Sequence, residues 1–314
     1  MKKKALIVSI KGFKLTNKEK KLLLNEKPWG LILFKRNIKS LKQIKYLIKE
    51  VKIISKNKKF PILIDEEGET VSRLRDILNH KVSANFFGNL YNSNKNVAEA
   101  IYKQYLISLC NNLKQIGINF NTVPVLDVLR KSTDKIIGKR SFSSKKKIVK
   151  KLGEITINEC HANNIISIIK HIPGHGCSKS DSHLVLPKVN LNIKVLNNID
   201  FYPFKSTKAK LAMTAHILYS KIDSKNVSTF SKKVIKNIIR KKIGFNGILM
   251  SDDISMKALK YDLVTNAKKS LEAGCNLILY CAGNIKDNYK LIKSIPYIDK
   301  FTSKKTSEIY KILR

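Results

Sequence analysis

The chain of 314 residues is short of acid: 23 Asp and Glu stand against 62 Lys and Arg, a formal net charge of +39. An excess of that size suggests nucleic acid or an anionic surface as partner. The lysines, however, run from end to end among abundant Asn and Ile, and no basic tail, RNP motif or helix-turn-helix pattern concentrates them. Lys, Asn and Ile share AT-rich codons, so compositional drift accounts for the charge, and no specific nucleic-acid partner is expected. Cysteine is scarce as well. Cys110, Cys160, Cys177, Cys275 and Cys281 are odd in number, scattered and without a CxxC pair. That excludes a disulfide framework or a zinc knuckle and fits a reducing compartment. Long apolar runs are missing too. The start, MKKKALIVSIKGFKL, offers only Ala5–Ile10 before Lys11, too little for a signal-peptide core or for a membrane span of roughly 18 residues. A cytoplasmic protein with no membrane span is the expectation. No Pro/Gly/Ser linker and no internal repeat divides the chain, so residues 1–314 read as a single domain, and 43% hydrophobic residues supply a core.

What is present is a rhythm. Eight short apolar runs recur: Ala5–Ile10, Gly30–Phe34, Pro61–Asp65, Ile118–Asp127, Ile165–His171, Leu211–Ile217, Gly247–Asp252 and Asn276–Cys281. They are rich in Ile, Val and Leu and do not alternate, the pattern of strands buried on both faces of a parallel sheet. Amphipathic stretches lie between them. Ile44, Leu47, Ile48 and Val51 form one helical stripe; Ile101, Tyr105, Leu109, Leu113 and Ile116 form another, with Gly117 as its C-cap. Thr16 and Glu19 have capping-box spacing. Arg73 to Lys95 reads as the longest irregular loop. Eight strand–helix alternations in this length predict a (β/α)8 barrel. The rival, a doubly wound open sheet, lacks its GxGxxG turn after the first strand.

Polar residues gather where the runs end. Asp65 ends the third, Asp127 the fourth, Lys170-His171 the fifth, His216 the sixth and Ser251-Asp252-Asp253 the seventh. In a barrel these ends converge on one face, where active sites are built. The densest segment is KHIPGHGCSKSDSHLVLP, residues 170–187, with three of the six histidines. As a metal site it is weak: His175 sits in a PGHG turn and no HExxH or Cys pair accompanies it, so no metal is expected. Acid–base chemistry fits better. In Asp181-Ser182-His183 a carboxylate two residues from an imidazole can orient it and stabilise its protonated form. Asp252-Asp253 supplies the second half of a mechanism. If strand geometry persists, only one carboxylate faces the axis, and the other is left to cap the following helix. One inward aspartate opposite a mobile acid–base loop suits a retaining glycosidase. In Asp65-Glu66-Glu67-Gly68-Glu69-Thr70-Val71-Ser72-Arg73, Asp65 and Arg73 could grip hydroxyls; alone, the segment reads as an exposed acidic turn, and Arg140 in IIGKRSF is equally open.

Taken together, LIDEEGETVSRL, INFNTVPVLDV, IIGKRSF, KHIPGHG with DSHLVLP, MTAHI and GFNGILMSDDISM resemble, in order, the bacterial β-N-acetylglucosaminidases of glycoside hydrolase family 3, the NagZ type. The resemblance covers most of the chain. It implies a (β/α)8 barrel, no cofactor, and exo-hydrolysis of terminal β-linked N-acetylglucosamine from cell-wall muropeptide fragments with an anhydro-N-acetylmuramic acid aglycone. It further implies Asp252 as nucleophile, His183 as acid/base oriented by Asp181, and Asp65, Arg73, Arg140, Lys170 and His171 as holders of the sugar. A monomer is expected. The departure is DEEGETVSR where the family usually reads DQEGGRVxR, which loses a glycine and an arginine but keeps Asp65 and Arg73. The alternatives are a family 3 barrel acting on a β-glucoside or β-xyloside, and a cationic binding protein on an inactive barrel.

Overall fold

Strands β1 (Lys4–Val8), β2 (Pro28–Leu33), β3 (Ile62–Ile64), β4 (Phe120–Asn121), β5 (Ile166–Ile172), β6 (Lys188–Val189), β7 (Leu211–Thr214), β8 (Leu218–Tyr219), β9 (Ile248–Asp253) and β10 (Leu277–Leu279) punctuate the computed structural model, which describes residues 2–182 and 184–313. Eight of them close a barrel in the order β1-β2-β3-β4-β5-β7-β9-β10, all neighbours parallel, with β10 returning to β1 through Leu6–Ile278 and Ile7–Leu279. Each barrel strand falls within or overlaps one of the eight apolar runs. The remaining pair, β6 and β8, forms a two-stranded parallel ribbon. The runs do not alternate because barrel side chains fill the axis on one face and meet helices on the other; every residue of β2 and of β5 is buried.

The fourth strand is shorter than Ile118–Asp127. Regular pairing stops at Asn121 and resumes only as a bridge from Val125 to Lys170. Pro124 lies in the gap, and a proline has no N–H to give a central ladder. The stretch from Arg73 to Lys95 is also not one loop. It contains helices Arg75–Leu78 and Ala84–Ser93, the second capped by Ser83, whose hydroxyl accepts from the Phe86 amide.

Thr16 and Glu19 make the expected capping box, and Ile44, Leu47, Ile48 and Val51 form the buried face of helix Leu41–Ile54. In helix Lys95–Ile116 the buried face is rotated from the expected stripe at its N-terminal half. Tyr102, Leu106 and Cys110 are buried there, while Ile101 is 46% exposed. The cause is tertiary: the Tyr102 ring packs on Phe87 and Phe142, and its hydroxyl bonds Thr156 at 2.7 Å. All five cysteines are free. Among the described residues no helix is long and apolar enough to cross a membrane.

Candidate active site

At the C-terminal ends of the strands lies a cavity of about 400 Å³, lined among others by Phe34, Asp65, Glu67, Arg73, Arg140, Lys170, His171, Asp252, Asp253 and Cys281. The closed ring of strands is what gathers residues so far apart in sequence onto one rim. Asp65, just beyond β3, accepts from the Arg73 guanidinium at 2.8 Å and faces the Lys170 ammonium at 3.3 Å. Lys170 is itself buried and also reaches Glu67 at 2.5 Å and the Thr122 hydroxyl at 2.7 Å. Arg140 grips Glu67 through two nitrogens, at 2.7 and 3.0 Å. The result is an alternating network of three cations and two carboxylates in a nearly dry place. Burial works against the Asp65 charge, but Lys170 and Arg73 overcome it and hold the carboxyl well below its usual range. Glu67 behaves alike: burial is outweighed by Arg140 and Lys170, and its value falls to about 2.

The segment DEEGETVSR is therefore no exposed acidic turn. Glu66 is fully buried and accepts from the Ser72 hydroxyl, the Arg73 and Leu74 amides and the His80 ring. These bonds fold the loop back so that Arg73, eight residues on, meets Asp65. At the positions that depart from the family pattern, Glu69 reaches outward to Lys139 at 2.8 Å. Phe34 lies under the Arg73 guanidinium, 5.2 Å from ring centre to carbon, a cation–π contact that limits its swing.

Lys170 and His171 are consecutive, yet both line the cavity; the peptide between them is cis. Behind them stands Asp127, fully buried, 2.7 Å from His171 Nδ1 and 2.6 Å from the donating amide of His175. A carboxylate can only accept, so Nδ1 carries the hydrogen and Nε2 is the nitrogen left for a ligand. Burial opposes the Asp127 charge, and His171 more than restores it. His175 serves the turn. Its ring is buried, its value is pushed down to about 4 by burial and by His171, and its Nε2 meets the Ser182 hydroxyl at 3.2 Å. Gly174 and Gly176 are required beside it. Gly174 has φ +139°, and a Cβ on Gly176 would sit 1.9 Å from the Val128 carbonyl oxygen.

Asp252 and Asp253 end β9, and both border the cavity, which differs from the single inward carboxylate of regular strand geometry. Their surroundings separate them. The Asp252 carboxylate accepts the Asp253 amide at 2.8 Å. The Asp253 carboxylate is occupied by the Ser255 amide and hydroxyl and by the Cys281 amide, and burial raises its pKa. It caps the turn after β9 and stitches β9 to β10. Helix Leu263–Ala273 takes its cap from Asp262 instead, because that turn intervenes. His216, unlike Asp252 and Asp253, does not line the cavity. It is fully buried, donates through Nε2 to the Asp253 carbonyl at 3.0 Å, and receives Thr229 at Nδ1.

Asp181 stands on the loop between β5 and β6, where its carbonyl accepts the Leu184 and Val185 amides. His183 lies outside the described residues. Among the described residues no group of three His, Cys, Asp or Glu side chains is placed to hold a metal ion. Sequence reasoning left Glu67 and Thr122 without a role in the site, and placed Asp127 on the rim as a strand end without seeing that it holds His171. The available hint was the clustering of acids at 65–67 in a chain so poor in them.

A family model, the N-terminal domain of glycosyl hydrolase family 3, matches residues 2–306. The chain belongs to glycosyl hydrolase family 3. It is 34% identical to the β-hexosaminidase of Haemophilus influenzae strain Rd over 93% of this chain and 85% of that one. It is 33% identical to that of Actinobacillus succinogenes over 94% and 87%. Among solved structures it is similar to NagZ from Neisseria gonorrhoeae in complex with N-trifluoroacetyl-D-glucosamine, with a TM-score of 0.89, 29% identity, and coverage of 98% of this chain and 90% of that one. The candidate cavity of this family 3 chain lies where its eight barrel strands end.

Proposed function

We propose that this family 3 chain is a retaining exo-β-N-acetylglucosaminidase, one barrel domain over residues 1–314. The observation that carries the reading is a small cavity that unites Asp252 with a pre-ionised network of Asp65, Glu67, Arg73, Arg140 and Lys170. Fixed carboxylates accept sugar hydroxyls, guanidinium and ammonium groups donate to sugar oxygens, and His171 Nε2 adds a further contact. The β-hexosaminidase activity named for the relatives supports the N-acetylglucosamine specificity.

In the proposed reaction the Asp252 carboxylate attacks the anomeric carbon as the glycosidic bond breaks. His183, oriented by Asp181, gives its proton to the departing oxygen. The covalent glycosyl-enzyme is then opened by water, from which His183 takes a proton, so two inversions return the β-anomer. Asp65, Arg73, Arg140, Lys170 and His171 hold the sugar. No cofactor enters. The substrates proposed are muropeptide fragments with an anhydro-N-acetylmuramic acid aglycone, processed by a cytoplasmic monomer in peptidoglycan recycling.

The test is a release assay on chromogenic β-N-acetylglucosaminide, β-glucoside and β-xyloside in parallel, with the first-formed anomer read by NMR. Selective cleavage of the first with β product supports the reading. A preference for glucoside or xyloside, or an α product, overturns it.

A further inference from the structure

On the opposite face of the barrel from the sugar cavity, at the N-terminal ends of β1, β2 and β3, lies a cavity of about 490 Å³. Leu23, Leu24, Pro28, Ile54 and Phe60 give it apolar walls, and Lys3, Lys27 and Lys56 give it three ammonium groups. Among the described residues no carboxylate lines it, not even Glu26, which stands next to Lys27 in the chain. Lys27 and Lys56 are exposed to solvent, whereas Lys3 is only 5% exposed.

Lys3 is the anomaly. A buried charge is ordinarily paired with an opposite one, yet among the described residues no carboxylate meets Lys3. Its Nζ donates to the Tyr310 hydroxyl and lies 4.9 Å from the centre of that ring and 6.0 Å from that of Phe60. These contacts ease the burial of an ammonium but bring no counter-charge. Tyr310 cannot supply one, because burial pushes its phenol up to about 12. The Asn57 amide donates to the same hydroxyl at 3.3 Å, and the Lys59 ammonium to the Tyr310 carbonyl at 2.8 Å, which adds a cation to the surroundings. Burial accordingly pushes the Lys3 ammonium down to about 8. A neighbouring depression that shares Lys56 adds Lys45, Lys49, Lys52 and Lys58, so the field over this part of the barrel is positive.

We propose that this cavity binds a small organic phosphate, its phosphate on Lys3, Lys27 and Lys56 and its apolar body against Leu24, Ile54 and Phe60. The anion supplies the counter-charge that the described residues do not. Three ammonium groups with no carboxylate among them favour a dianion over a single negative charge. The volume is that of a small-molecule site, and its apolar walls call for more than inorganic phosphate. The inference is independent of the glycosidase reading, since no residue of this cavity lines the sugar cavity.

The probe is phenyl phosphate, titrated calorimetrically into the full chain at about pH 8 in two buffers of different ionisation enthalpy. Saturable binding is expected, about tenfold tighter than that of inorganic phosphate, because only the ester buries a ring. Binding should take up roughly half a proton, since free Lys3 is half neutral there and the dianion restores its charge. Lys3→Met keeps the length of the side chain and removes the charge. It should abolish the uptake and weaken binding about tenfold or more, with a Tm equal to or above that of the wild type. Lys27→Ala/Lys56→Ala, on exposed residues, should weaken binding severalfold and retain the uptake. Lys232→Ala/Lys233→Ala, beside a different cavity, should change neither. Absence of saturable binding, an affinity no better than that of inorganic phosphate, binding without proton uptake, or unchanged binding in Lys3→Met overturns the proposal.

Discussion

Replacing Glu67 by Gln keeps the shape of the side chain and removes the negative charge that Arg140 and Lys170 share. The structure sets the magnitude. The carboxyl falls from an ordinary 4.5 to about 2, and its side chain is 5% exposed, so solvent screening takes little away. That depression corresponds to about 3 kcal/mol of preference for the ionised form in the folded state. The folded value lies below the unfolded one, so the contribution is complete above about pH 4.5 and is lost as pH falls toward 2. Linkage leaves about half of it at pH 3. Urea unfolding of wild type and Glu67→Gln should therefore differ by about 3 kcal/mol at pH 7 and by about half that at pH 3. The variant should also raise KM for a β-N-acetylglucosaminide, because Arg140 loses the partner that aims it. A gap below about 1 kcal/mol at neutral pH, or one of equal size at pH 3, would refute the idea that the ionised Glu67 organises this network.

Asp252→Asn should abolish turnover, whereas Asp253→Asn should cost stability first, since Asp253 binds the turn after β9; a fluorinated glycoside with peptide mapping should place the covalent sugar on Asp252, and a label on Asp253 would reverse the assignment. His183→Ala should slow a natural disaccharide far more than an activated nitrophenyl glycoside, because a good leaving group departs unprotonated, and azide should rescue the latter as the β-glycosyl azide. Asp181→Ala should show a milder form of the same pattern; equal losses for both substrates would exclude His183 as the proton donor. Asp127→Asn leaves His171 Nδ1 facing an amide that need not accept its hydrogen, so KM should rise roughly 30-fold, about 2 kcal/mol, and an unchanged KM would show that His171 is positioned without it.

The sequence by itself determined the barrel. Strands buried on both faces are continuous runs of Ile, Val and Leu, and helices betray themselves by spacing, so both are properties of neighbouring residues that hold wherever the chain goes. Ile44, Leu47, Ile48 and Val51 are buried as their period requires. Motif order likewise named Asp65, Arg73, Arg140, Lys170, His171 and Asp252, all of which border one cavity. Only the tertiary structure decided what these groups do to one another. Asp127 and His171 are 44 residues apart, Glu67 and Arg140 73, and Asp65 and Lys170 105. No period relates such pairs, and each forms because the closing sheet brings its strand ends to one rim. The same closure turned an apparently solvated acidic turn into a buried network, gave Asp253 to a turn in place of a helix cap, and rotated the face of helix Lys95–Ile116 toward Phe87 and Phe142. Side-chain direction at an irregular strand end follows from what packs there, and that is information a local pattern does not carry.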